Sequence, residues 1–149
     1  MIPSPDSSGN LPAGIHVASW PEVLAAFGTT GHRRALLAGF LRGSQILRSV
    51  GCSAVYLDGS FVTTKSTPED FDSCWELQGV DLPKLKGIEP VFFKFDNKRA
   101  AQKAKFLGEF FPAEYHATVH RKTFLEFFQT DRATGLAKGI IRVDVSTLP

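Results

Sequence analysis

The run YLDGSFVTTKSTPEDFDSCW, residues 56–75, leads from an apolar strand into a Gly-Ser turn and then sets two aspartates one residue apart. Side chains two apart on a strand share a face, so Asp70 and Asp72 are expected to project side by side while Phe71 turns into a core. Like charges that close raise each other's pKa, and a divalent cation between them removes the repulsion. Magnesium suits such a pair, with manganese as the alternative ion, because it takes one or two carboxylates and completes its shell with water and phosphate oxygens. Upstream, Gly59 lets the backbone approach a ligand and Ser60 adds a hydroxyl beside exposed N–H groups. These two can grip phosphate oxygens, and Lys65 is a further candidate contact. Ordinary turn chemistry explains either half alone, since "STPED" turns readily through Pro68 and Asp70. The order strand, Gly-Ser, spacer 61–69, Asp-Phe-Asp in a second strand favours a site for a nucleoside triphosphate and its metal.

Outward from this run the chain reads as one domain. Residues 1–14, rich in Pro, Ser and Gly, read as a mobile arm, leaving 15–149 as a single domain. "SWPEVLAAFG" carries a helix start: Ser19 caps, Pro21 suits the first turn, Glu22 completes a capping box and Gly28 ends the helix. "TGHRRALLAGFLRGSQILRSVG" sets Leu36, Leu37, Phe40, Leu41 and Leu47 on one helical stripe, with Arg33, Arg34, Arg42 and Arg48 largely off it and Gly51 as the stop. "SAVYLDG" and "FDSCWEL" read as strands, "EPVFFKF" as a third, and "DNKRAAQKAKFLGEFFP" as a helix stopped by Pro112. Residues 124–129 and 139–145 read as two further strands around a Thr-Gly turn. The sum is an α+β domain, a small mixed or antiparallel sheet with helices packed against it.

Composition narrows the classes. The 149 residues are 43% hydrophobic and 21% charged, with net charge +2, an ordinary soluble profile too mild to argue nucleic-acid binding by itself. No apolar run approaches the ~20 residues of a membrane helix, and the N-terminus lacks the basic and apolar regions of a secretory signal. Cys52 and Cys74 are too few for a disulfide framework. A cytoplasmic protein with reduced thiols is expected.

The motif Gly59-Ser60, spacer, Asp70-Phe71-Asp72 resembles the signature of the polymerase-β-like nucleotidyltransferase superfamily. The stretches "LDGSFVTTKSTPEDFD", "AAQKAKFLGEFFPAE" and "FLEFFQTDRATGLAKGII" also resemble a family of small bacterial proteins placed in that superfamily. The resemblance implies a nucleotidyltransferase-like fold and transfer of a nucleoside monophosphate to a hydroxyl on a protein, an RNA or a small molecule. It implies Asp70 and Asp72 as metal ligands, and Gly59 and Ser60 as holders of the β- and γ-phosphates. It also implies a third carboxylate on a later strand. Glu126, set among Phe124, Leu125, Phe127 and Phe128, is favoured over Asp144, set between Val143 and Val145, because a charge among apolar neighbours needs a partner. A toxin–antitoxin setting, with a partner protein or tRNA as acceptor, follows from resemblance alone. The rival reading is an inactive, antitoxin-like binding or regulatory module on the same fold.

Other features read as structural. Asp58 and Glu76 are supporting residues, and Cys74 is a buried free thiol. His116 and His120 have the spacing of a zinc pair without a third ligand. The basic residues Lys98, Arg99, Lys103 and Lys105 read as a solvated helix face, and the phenylalanines as core rather than base-stacking platforms.

Overall fold

A computed structural model describes residues 1–117 and 122–149. Five strands form one mixed sheet: β1 (Gly14–Ala18), β2 (Ala54–Asp58), β3 (Phe71–Trp75), β4 (Gly108–Pro112) and β5 (Gly139–Asp144), in the order β1-β5-β2-β3-β4. β2 pairs antiparallel with β3 and β5, while β1–β5 and β3–β4 are parallel. The α+β expectation with a small mixed sheet therefore holds.

Helices α1 (Trp20–Phe27), α2 (Gly31–Ser49), α3 (Leu82–Ile88), α4 (Asp96–Phe106) and the single turn α5 (Phe124–Phe127) complete the fold. Ser19 and Glu22 form the expected capping box on α1, and Thr30 caps α2 by accepting from the Arg33 N–H at 3.1 Å. One sheet face carries Val55, Leu57, Phe71, Trp75, Phe110, Ile141 and Val143 into a core shared with Leu37, Phe40 and Leu47 of α2. On α2, a Cβ at Gly39 would overlap the Phe106 carbonyl, so glycine is what lets α4 lie this close. The opposite face carries Tyr56, Cys74, Phe111 and Ile140, capped by Phe128.

Four elements differ from their sequence reading. The stretch 89–95 is a 3-10 turn, Pro90–Phe93, rather than a strand: Pro90 supplies no ladder donor, and Phe92 is fully buried against Trp75, Phe106 and Phe110. The helix read through to Pro112 ends at Phe106, where Leu107 takes a left-handed conformation (φ 65°), and the chain continues as β4. Residues 124–127 are a helical turn rather than a strand, because Thr123 and Glu126 form a capping box. Residues 14–18 pair with β5 as an edge strand, and within the stretch expected as an arm Leu11 is 2% exposed while Asp6 accepts from the Ser8, Gly9 and Asn10 backbone.

Candidate functional site

β2 ends at Asp58, and the next residue, Gly59, has φ +76°, a conformation that side chains with a Cβ adopt at a cost. It opens a 3-10 turn, Gly59–Val62. A Cβ here would overlap Asp72 Oδ2 and lie 3.0 Å from Asp72 Cβ and Cγ. The glycine thus serves two needs at once, the turn and the room for the Asp72 carboxylate.

Arg33 holds the loop that follows. Although read as lying off the apolar stripe, it is 4% exposed, with its guanidinium 4.9 Å from the Phe61 ring centroid. It donates to the carbonyls of Phe61 (2.8 Å), Thr63 (3.1 Å) and Lys65 (2.5 Å). Thr64 N–H adds a bond to the Gly9 carbonyl at 3.0 Å. Arg33→Met keeps the apolar stem but orphans three carbonyls. It should destabilise the chain by roughly 2–4 kcal/mol in urea titration, with proteolysis at residues 61–66 as the first sign.

The strand registers bring three carboxylates level. Asp58 pairs with Asp72 across β2–β3, and Asp72 pairs with Glu109 across β3–β4. Adjacent strands are ~5 Å apart, so the three acids form a row on one sheet face. Asp58 is fully buried; its Oδ2 accepts from Cys74 Sγ at 3.8 Å, and among the described residues its Oδ1 has no hydrogen-bond partner. Burial, then the Asp72 charge, holds the Asp58 carboxyl well above the usual carboxylate range. Asp72 is pushed up to about 7, first by burial, then by the charges of Glu109 and Asp70 and by a hydrogen bond with Glu109. Glu109 Oε1 is also held by Arg99 at 3.2 Å and Lys103 at 3.1 Å. Arg99 lies 5.5 Å from the Phe111 ring centroid, at the end of three successive left-handed residues, Asn97, Lys98 and Arg99. Each such residue costs about 1–2 kcal/mol, and strained backbone of this kind concentrates at functional sites.

A cleft of about 700 Å³ opens at Asp72 and Glu109 and is lined also by Gly59, Ser60, Arg99, Lys138 and the phenylalanines Phe111, Phe124, Phe127 and Phe128. Gly59, Ser60 and Asp72 therefore meet as the sequence suggested. Asp70 precedes β3 and borders a separate shallow depression with His32, Glu69, Lys103 and Leu107, although its charge still reaches Asp72. Lys65 is exposed and lies outside the cleft lining, its carbonyl on Arg33.

Neither Glu126 nor Asp144, named from the sequence as candidates for a third carboxylate, stands in this row. Glu126 is exposed and its Oε1 caps α5 through Thr123 N and Oγ1. Asp144 pairs with Ala54, at the far end of β2 from Asp58, and accepts from Ser146. Glu109 stands in the row instead. It satisfies the same criterion, an acid within the apolar run "LGEFFP", and was hidden because that run reads as the end of a helix. Arg99, read as part of a solvated basic face, lines the cleft and with Lys103 pairs with Glu109, and Lys138 was not singled out from the sequence at all. His120, weighed with His116 for its zinc-pair spacing, lies outside the described residues.

The donor chemistry suits a cation. One Asp58 oxygen lacks a hydrogen-bond partner among the described residues, and Asp72 is crowded by the charges of Glu109 and Asp70, a repulsion that a cation would relieve. Among the described residues no three acidic, His or Cys groups converge tightly enough to enclose a metal by themselves. An ion here would need water or phosphate oxygens to complete its shell, as magnesium ordinarily does.

A family model described as "Family of unknown function (DUF6932)" matches residues 3–144. No curated protein and no solved structure is significantly similar to the chain.

Proposed function

The chain belongs to the DUF6932 family, of unknown function, and we propose from its site that it is a divalent-cation-dependent nucleotidyltransferase. It would move a nucleoside monophosphate from a nucleoside triphosphate to a hydroxyl on a protein, an RNA or a small molecule. One observation carries this reading: the level row Asp58, Asp72, Glu109 beside the Gly59-Ser60 turn, with Asp72 and Glu109 opening on one cleft. The resemblance to the nucleotidyltransferase signature supports it, and favours a toxin–antitoxin partner protein or a tRNA as acceptor.

Oxygen-only donors select a hard ion, Mg2+ or Mn2+. Asp72 and Glu109 would hold it, with Asp70 adding charge from just beyond. When bound, it neutralises charge developing on the phosphoryl oxygens. Ser60 and the backbone N–H groups of its turn hold the terminal phosphates, and Arg99 and Lys138 stabilise the departing pyrophosphate. The acceptor oxygen bonds to the α-phosphorus, the bond from that phosphorus to the β-bridging oxygen breaks, and a cleft carboxylate receives the hydroxyl proton.

A binding module without catalysis is the second reading. It is favoured by the pairing of Glu109 with Arg99 and Lys103, which already satisfies that carboxylate, and by the placement of Asp70 outside the cleft.

Isothermal titration at pH 8 with each nucleoside triphosphate, with and without magnesium, tests the site. Metal-dependent binding should appear, fall at least tenfold in Glu109→Gln, and stay unchanged in Glu126→Gln. Equal effects of the two variants would remove Glu109 from its role. Incubation with labelled triphosphate and total tRNA or partner protein then separates transfer from binding alone.

A further inference from the structure

The cleft that Asp72 and Glu109 line is also lined by Phe111, Phe124, Phe127 and Phe128. Phe111 and Phe128 are core residues at 6% and 8% exposure, whereas Phe124 and Phe127 are only partly buried. Phe124 stacks on Phe111 with centroids 4.2 Å apart and planes 13° off parallel. Phe127 meets Phe128 edge-on at 5.4 Å and 74°, and among the described residues it has no stacked aromatic partner. The capping box of Thr123 and Glu126 holds the turn that carries both rings. A part-open aromatic surface, rigidly backed and sharing a cleft with a charged end, has the form of a site for a molecule with one flat apolar end and one anionic end.

We propose that Phe127 and Phe124 are the stacking platform for the nucleobase of the bound triphosphate. This rests on the triphosphate reading above. It extends that reading to specificity, because phenyl rings offer the base edge no donor or acceptor. The platform senses the π-face, which every base has. Discrimination among bases is therefore weak, and purines are preferred by their larger stacking area.

Titration with magnesium and three probes tests this: ATP, UTP and inorganic tripolyphosphate. ATP should bind at least tenfold tighter than tripolyphosphate, since a stacked base contributes about that factor or more, and UTP should fall between them. Phe127→Leu should cut the ATP advantage to below about threefold and leave tripolyphosphate unchanged. Phe127→Trp, with a larger ring, should restore or exceed it, which guards against a folding defect in the leucine variant. Tripolyphosphate binding as tightly as ATP would overturn the platform while leaving the triphosphate site standing. So would an ATP advantage untouched in Phe127→Leu, or a preference of ATP over UTP above about a hundredfold. Failure of all three probes to bind would overturn the triphosphate reading, and the platform with it.

Discussion

At pH 8, Asp72→Asn should melt on the order of 5–10 °C above the parent chain while losing magnesium-dependent binding of triphosphate. The Asp72 carboxyl has its pKa raised from 3.8 to about 7 by burial and by Glu109 and Asp70. A raised folded-state pKa means that the folded chain holds a proton the unfolded chain has released. The stabilisation is complete below pH 3.8 and is lost as pH climbs through about 7. Above that point the folded chain bears the full cost of a shielded charge beside other carboxylates, on the order of a few kcal/mol. Asparagine is uncharged at every pH and can donate to Glu109. For a domain of this size each kcal/mol is worth roughly 2–4 °C. Melting curves from pH 4 to 8 should show the two proteins converging at the acid end and separating toward pH 7. Magnesium should raise the parent's melting temperature at pH 8, much less at pH 5, and not at all in the variant. A variant that melts below the parent at pH 8 would contradict the crowding of charge inferred at Asp72.

Gly59→Ala should do the reverse, destabilising the chain and abolishing triphosphate binding together. Two costs coincide. The left-handed backbone (φ +76°) charges any Cβ about 1–2 kcal/mol, and the added methyl overlaps Asp72 Oδ2, so either the turn or the carboxylate must move. Gly135 separates these terms, because it too has positive φ (+72°) but has nothing within 4 Å of an added Cβ. Gly135→Ala should show the backbone cost alone in urea titration and retain binding. The double variant Gly59→Ala with Asp72→Ala should recover part of the lost stability, a positive coupling between neighbours. Additive losses would show that the turn and the carboxylate are independent.

What could be read from the sequence depended on whether the signal was local. Ser19 with Glu22, the apolar stripe of α2, and the apolar runs of β2, β3 and β5 announce themselves within a few residues, and all became the elements expected. β1 did not, since "GIHVA" has a partner only in β5, at the other end of the chain. β4 was concealed because Leu107 makes the left-handed reversal usually left to glycine, so helix ran into strand without its usual punctuation. That error also hid Glu109, the acid that completes the row. The reading of Glu126 as a buried strand carboxylate failed differently: the Thr-x-x-Glu box at 123–126 was present, and the flanking phenylalanines outweighed it. Gly59, Ser60 and Asp72 were legible because a tight turn and a paired strand constrain residue type at fixed spacing. The cations Arg99 and Lys138 reach the cleft only through tertiary folding.

The position of β5 between β1 and β2 has a consequence for biosynthesis. An interior strand that leaves the ribosome after every other strand means that β1 has no ladder to join until residues 139–144 emerge. Until then the nascent chain shows water the edge of β2 and the apolar residues that Ile141 and Val143 will cover. Such long-separated pairings close slowly, so a stall or premature stop shortly before residue 139 should leave a sticky, protease-sensitive product rather than a smaller working domain.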